Sequence, residues 1–237
     1  MERNVNAFNQ DARDNKGYRY SANAQLSSQL ANRRLSDAAL AIADFRGKKV
    51  MDVGCGDGTY TIELFDEGKA AFIHGIDPAR EAIEIAGTKV GTRNISFSVE
   101  NAYHVPFDDN SFDVAYLRGV LHHMDRPVDA LREALRVAPT LVVIEPNGYN
   151  PALKLIEKMS SYHREHDEKS YAPFKLDAWI ESHGGMVSRR VWAGFVPMFC
   201  PDWLARTLKT IEPAVELVPG VKHVACAVYV LTAERRT

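Results

Sequence analysis

Two adjacent histidines, His122 and His123 in GVLHHM, and a second pair three apart, His163 and His166 in SSYHREHDEKSY, are the side chains best suited to proton transfer. An imidazole titrates near neutrality, so it can take a proton from a hydroxyl or an amine and release it afterwards. His122, His123 and His166 are therefore the candidate catalytic groups, with packing and capping as the plain alternative for the adjacent pair. Glu145, in EPN, either anchors local backbone or orients such a base or the acceptor. The His163/His166 pair stands among Glu165, Asp167 and Glu168, which raises a metal site. Its spacing is not H-E-x-x-H and no third ligand is indicated, so no metal is expected. That cluster, with Tyr162, is left between a lid or acceptor contact and a solvated helix end.

A second concentration of chemistry is VMDVGCGDGTY, Val50 to Tyr60, with three glycines in five residues after an apolar run. Glycine in a packed strand costs stability, so the cluster marks a tight turn or a backbone that a ligand approaches closely. Gly54, Gly56 and Gly58 give G-x-G-x-G, and Thr59 stands where the dinucleotide fingerprint has its third glycine. The Lys and Ser/Thr of a P-loop are also missing. Asp77, ending HGIDP 23 residues after Gly54, sits where an acid can accept hydrogen bonds from both ribose hydroxyls. It can cap the following helix as well, and the two roles are compatible.

Short apolar runs alternating with helical patterns must position these residues. Strands are expected at Lys48 to Cys55, Phe72 to Pro78, Ile95 to Asn101, Phe112 to Gly119 and Thr140 to Asn147. Helical patterns lie between them, one starting at Pro127, a favoured first-turn residue. This is the signature of a parallel sheet with crossover helices. A helical stretch from Leu26 to Phe45 precedes the first strand. After the fifth come helices near Pro151 to Tyr162 and Leu176 to His183, a strand in MVSRRVWAGFVP, and a helical insertion from Asp202 to about Val218. HVACAVYVLTAE, a long strand, ends the chain. The expected fold is α/β, doubly wound and Rossmann-like, with a mostly parallel seven-stranded sheet, one antiparallel edge strand and helices on both faces. It is read as one domain in three parts: a helical cover over 1–46, a cofactor-binding core over 47–147, and a C-terminal half over 148–237 that carries the acceptor-specifying insertions.

VMDVGCGDGTY followed by GIDP, and continuing in SVENAYHVPFDDNSFDVAYLRGVLHHM, resembles the class I S-adenosylmethionine-dependent methyltransferases, and among them the broad small-molecule group called methyltransferase type 11. The resemblance runs from about Lys48 to Asn147. It implies S-adenosylmethionine as cofactor, with S-adenosylhomocysteine as product, and says almost nothing of the acceptor. It implies that Asp52 reaches the methionine end through water and that Gly54, Gly56 and Gly58 pass under the amino acid and ribose. Asp77 would hold the ribose hydroxyls, with Pro78 against the adenine and Asn101 and Ala102 at its edge. Many members carry Asp where this chain has Asn101, and an amide accepts without charge. Arg118 would lie near the methionyl group, or meet an anionic acceptor. The resemblance also makes the N-terminal region a helical cover over the cofactor, in which Tyr18, Tyr20 and Arg34 either contact the cofactor carboxylate or the acceptor or are surface residues of a flexible leader.

Methyl transfer from a sulfonium is an in-line displacement, so alignment and water exclusion supply much of the rate, and a base is needed only for a protonated acceptor. Glu145, Asn147, Tyr162 and His163 follow or flank the fifth strand and are the candidate acceptor contacts. The stripe Trp192, Phe195, Met198, Phe199, Trp203 and Leu204 belongs to core, to a homodimer interface or to a pocket. As pocket it favours an apolar or aromatic small molecule. A net charge of -2 gives no basic field for nucleic acid. A membrane-surface role is disfavoured by the acids after Arg206 and Lys209. The polar start of the chain, the absence of an apolar run near the roughly 20 residues of a spanning helix, and three isolated cysteines point to a cytoplasmic protein. A binding protein for the same cofactor that transfers nothing, a sensor or partner subunit, is the alternative to an enzyme.

Overall fold

The computed structural model describes residues 2–22, 24–159 and 169–236. Five strands follow one another with helical crossovers: β1 (Lys49–Val53), β2 (Phe72–Asp77), β3 (Ile95–Val99), β4 (Val114–Arg118) and β5 (Thr140–Pro146). They pair in parallel in the order β3-β2-β1-β4-β5, so the carboxyl ends of β1 to β5 lie along one edge of the sheet. Two late strands complete it, β6 (Gly185–Ala193) and β7 (Val228–Arg235). β7 pairs antiparallel with both β5 and β6. The single antiparallel strand therefore lies one place in from the edge, and β6, parallel to the rest, is the outermost strand. β6 follows β5 in the chain but stands two places from it in the sheet, and the last strand fills the lane between them.

The alternation of side chains along each strand divides the core in two. On β4, Ala115 and Leu117 face one layer while Val114 and Tyr116 face the other; on β5, Leu141 and Val143 oppose Val142 and Ile144 in the same way. The first layer is closed by α6 (Pro127–Val137), which buries Leu131, Ala134 and Leu135 at helical spacing after Pro127 at its first turn, and by α8 (Pro173–Ser182) through Leu176 and Ile180. The second is closed by α3 (Leu26–Ile42) and α4 (Thr59–Gly68) through Leu35, Ala39 and Leu64. The two layers bury near-continuous apolar strands, as a sheet covered on both faces requires.

Before α3, α1 (Glu2–Asn15) and α2 (Arg19–Ala22) lie over the carboxyl edge. α1 is too polar to reveal itself by an apolar stripe; it packs on α5 (Arg80–Lys89) mainly through Phe8 and Ala12. Its Asn9 side chain accepts the Glu81 N–H at 3.0 Å, satisfying one of the orphan donors at the start of α5. Among the described residues the remaining α-helices are α7 (Pro151–Met159), α9 (Asp202–Leu217) and α10 (Val221–Ala225). Among the described residues no helix is long and apolar enough to cross a membrane.

Candidate functional site

The turn after β1 is held open by its glycines. Gly54, Gly56 and Gly58 all take positive φ, at 75°, 54° and 73°, a region that L side chains rarely enter. A Cβ on Gly54 would stand 2.2 Å from the Val120 side chain, and one on Gly56 2.5 Å from the Tyr18 ring. The Gly54 N–H donates to the Ile76 carbonyl at 2.8 Å, binding the turn to the end of β2. Gly58 lies away from the site: a Cβ there would meet Ala86 and Phe97, so this glycine allows α4 to pack on its neighbours.

Asp77, ending β2, accepts the Gly56 N–H at 3.0 Å and the Ala79 N–H at 2.8 Å. Burial pushes its pKa up to about 6, against the opposing pull of those two N–H groups and of the Tyr18 hydroxyl. A carboxylate has room for about four donors, so Asp77 keeps acceptor capacity where it faces the cavity. Asp52, inside β1, accepts the Thr61 hydroxyl at 2.6 Å and is raised to about 7, again chiefly by burial. After β3, the Asn101 side-chain oxygen accepts the Tyr103 N–H at 3.0 Å. A backbone donor fixes which end of the amide is oxygen, so the Asn101 NH2 is turned the other way.

Asp57, which sequence reading passed over, fastens the N-terminal cover to this turn. It is buried and accepts the Tyr18 N–H at 3.2 Å, the Ser21 hydroxyl at 2.6 Å and the Thr59 N–H at 3.2 Å, with the Lys89 ammonium at 3.0 Å. Burial works to raise its pKa, but the donors of Ser21, Lys89 and Thr59 outweigh it and hold the carboxyl below its ordinary range. Removing it in Asp57→Ala is expected to raise amide hydrogen exchange over residues 8–22 by about 10–100-fold, the worth of charged hydrogen bonds of about 1.5–3 kcal/mol. Exchange equal to the wild type over that stretch would mean that α1 and α2 are held by packing alone.

One cavity of about 700 Å³ runs from this turn to the far side of the sheet edge, lined by Gly54, Gly56, Asp77, Pro78, Glu100 and Asn101 at one end. At the other, Glu145 at the end of β5 is fully buried and accepts three donors. Its Oε1 takes the Val120 and Leu121 N–H groups at 2.9 and 2.8 Å, and its Oε2 lies 2.7 Å from His122 Nδ1. A carboxylate can only accept, so Nδ1 carries the proton and Nε2 is the basic nitrogen. The His123 ring is 3.9 Å from that of His122 and meets the Phe8 ring edge-on at 5.0 Å, which joins the cover to this pair. Leu153 and Ile156 of α7, and Val196 to Phe199 in the connection from β6 to α9, complete the wall.

That connection is tightly held. The Gly194 N–H donates to Glu216 and the Phe195 N–H to Glu212, both at 2.8 Å and both from α9, while Arg34 of α3 grips Glu216 through two bonds of 2.8 and 2.6 Å. Within it Phe199 has φ 64°, a conformation that costs an L residue about 1–2 kcal/mol.

Residues 51–140 match the family described as "Methyltransferase domain". The chain carries an S-adenosylmethionine-dependent methyltransferase domain. A methyltransferase of Schizosaccharomyces pombe is 33% identical over 110 residues, covering 43% of this chain and 37% of that one. The tRNA U34 carboxymethyltransferase of Desulfotalea psychrophila is 28% identical over 108 residues, covering 43% and 33%. A chain of the complex between the Haloferax volcanii Trm112 methyltransferase activator and a methyltransferase superposes with a TM-score of 0.69 at 18% identity, over 97% of this chain and 98% of that one. This last likeness is one of fold. The chain spans about a third of the length of these curated relatives.

The methyltransferase domain's site fits its cofactor. The donor-hungry carboxylate of Asp77 suits ribose hydroxyls, and the acids around the cavity suit a sulfonium cation. The volume is that of a nucleoside-sized molecule with a second small one beside it. Of the residues expected from the sequence, Gly54, Gly56, Asp77, Pro78, Asn101, Ala102, Arg118, His122, His123 and Glu145 line this cavity. Asp52 and Gly58 are not among its lining residues. Arg118 is turned largely to α3: it donates to the Ser36 hydroxyl at 2.6 Å and the Asn32 carbonyl at 3.0 Å, with its guanidinium 3.7 Å above the Tyr60 ring.

Asn147 requires a correction as an acceptor contact. It is fully buried outside the cavity, its NH2 donating to the His223 and Cys226 carbonyls at 2.8 and 3.0 Å, and so anchors the chain entering β7. Tyr162, His163 and His166 lie outside the described residues, as does the Tyr20 side chain. The apolar stripe divides: Met198 and Phe199 line the cavity, Trp192 packs on the core, and Trp203 is exposed. Glu157 and Ser170 join the lining without any sequence signal beyond their type.

Proposed function

We propose that the protein transfers a methyl group from S-adenosylmethionine to a hydroxyl or amine of a small molecule, with His122 as the base. The observation that carries this is the Glu145–His122 contact of 2.7 Å in the same cavity as the glycine turn and Asp77. Bound S-adenosylmethionine supplies a methyl group activated on a sulfonium. Asp77 and the backbone of Gly54 and Gly56 orient the nucleoside end, and the cover of α1 and α2 excludes water. His122 Nε2 receives the acceptor's proton as its oxygen or nitrogen becomes nucleophilic, and Glu145 stabilises the imidazolium that results.

Among the relatives named above, only one carries an acceptor in its name, a tRNA, so the acceptor class rests on this cavity's lining. Its lining offers the apolar side chains of Phe8, Leu153, Ile156, Met198 and Phe199, and its arginines among the described residues are Arg19 and Arg118, with no lysine. With a net charge of -2 there is no basic field for a nucleic acid either.

Calorimetric titration with S-adenosylmethionine, S-adenosylhomocysteine and NADH, followed by a methyl-transfer screen over phenols, alcohols and amines, tests the proposal. Micromolar binding of the two sulfur nucleotides, none of NADH and turnover of at least one acceptor are expected. Failure of both sulfur nucleotides to bind would remove the proposal. Binding without turnover of any class would leave a cofactor-binding protein in place of an enzyme.

A further inference from the structure

Resting on that reading of the site, we infer that Phe199 selects the acceptor, and that the acceptor presents a flat aromatic face to its ring. Among the described residues, four with side chains have positive φ: Lys16, Lys69, Asn110 and Phe199. Lys16 and Lys69 follow the ends of α1 and α4, and Asn110 sits in a turn, where its side-chain type tolerates this conformation. Phe199 also sits in a turn, Met198–Phe199, but at a position that glycine would fill without strain and asparagine with less.

The strain does not come from a slack loop. Pro197 and Pro201 flank the turn, the Gln25 side chain holds the Cys200 carbonyl at 2.8 Å, and Gly194 and Phe195 are tied to α9. Nor is the ring needed by the core. The small cluster beneath it consists of Val196, Cys200 and Ala205, with Leu30, Leu204 and Leu208 against them, and Phe199 takes no part. Phe199 lines the cavity and keeps 53% of its surface exposed. A strained backbone that carries a large, half-exposed aromatic into a binding cavity breaks a local rule where a ligand can repay it. Ile156 of α7, also 40% exposed, lines the same cavity, so apolar surface is offered there from two elements. Aromatic pairs gain from offset or edge contact beyond the area they bury, which makes a ring the natural selector of a ring.

The test uses the protein saturated with S-adenosylhomocysteine and 2-naphthol as probe, followed by its own fluorescence. The wild-type complex is expected to bind 2-naphthol, with Phe199→Gly and Phe199→Asn each at least tenfold weaker and Phe199→Tyr close to wild type. Both weakened variants remove the ring, but only Gly frees the backbone, so equal losses assign the effect to the ring. S-adenosylhomocysteine affinity should be unchanged in all three, and Phe199→Gly should melt no lower than the wild type. Equal 2-naphthol affinity in Phe199→Gly, or no 2-naphthol binding by a wild-type protein that does bind S-adenosylhomocysteine, overturns the assignment. If S-adenosylhomocysteine itself does not bind, it is the methyltransferase reading that fails, and the selector role with it.

Discussion

Asp77→Asn is expected to weaken binding of S-adenosylmethionine and S-adenosylhomocysteine by about 10–150-fold, or about 1.5–3 kcal/mol, the worth of hydrogen bonds to a charged group. The carboxylate already accepts Gly56 and Ala79 N–H groups on its two oxygens, and its remaining lone pairs are the acceptors available to a ribose at this edge. An amide keeps only one of those oxygens, so the variant also loses one of these two backbone contacts. The wild-type pH dependence separates the two effects. With the Asp77 pKa raised to about 6, protonation below that value converts an acceptor into a donor and competes with the ribose hydroxyls. Affinity should therefore be full above pH 7 and fall as pH drops through about 6, with proton release on binding near that pH. The variant has no carboxyl there and should lack this step. Calorimetry across pH 5 to 8 in two buffers of different ionisation enthalpy measures both. A wild-type affinity flat across that range would take Asp77 out of ribose binding, whatever the variant does.

What the sequence discloses here follows the reach of each interaction. The parallel strands are legible because both faces are covered and most are short, nearly continuous apolar runs, with β3 alternating instead as ISFSV. Their carboxyl ends carry Gly54, Asp77, Asn101, Arg118 and Glu145, and parallel pairing alone brings these five to one edge. Contacts between distant segments are not legible. Asp57 reads as one more polar residue in a turn until Tyr18 and Ser21, 39 and 36 positions away, are seen to donate to it. Asn147 has the place and type of an acceptor contact, and only the return of the chain through Cys226 to β7 shows that its amide caps carbonyls instead. The same return makes β7 an inner antiparallel strand, a pairing set by the tertiary order of β5, β7 and β6, which no local pattern encodes. Arg118 ends β4, yet where its long side chain turns depends on Ser36 and Asn32 in a helix more than 80 residues earlier.

The role of His122 depends on one proton, and Glu145→Gln is the substitution that moves it. Glu145 Oε1 holds the Val120 and Leu121 N–H groups, and an amide oxygen can hold both as well, so the turn carrying the histidines should keep its shape. The amide NH2 would then stand where Oε2 now meets His122 Nδ1. Two donors cannot face each other, so His122 must present a lone pair at Nδ1 and carry its proton on Nε2. The imidazole would stay in place but would no longer be a base toward the cavity. Turnover of a hydroxyl or amine acceptor is therefore expected to fall by about 100- to 10,000-fold, the usual contribution of general-base catalysis, with S-adenosylmethionine affinity unchanged. Because the two residues act as a unit, Glu145→Gln combined with His122→Ala should be no slower than His122→Ala alone. Nitrogen-15 NMR of the imidazole should show the tautomer reversed in Glu145→Gln, a signature that a loss of packing would not produce. Reversed tautomer with wild-type turnover would mean that the acceptor loses its proton without help from His122, as one already ionised at the assay pH would. A retained tautomer with reduced turnover would instead place the effect of Glu145 in holding the turn from Val120 to His122.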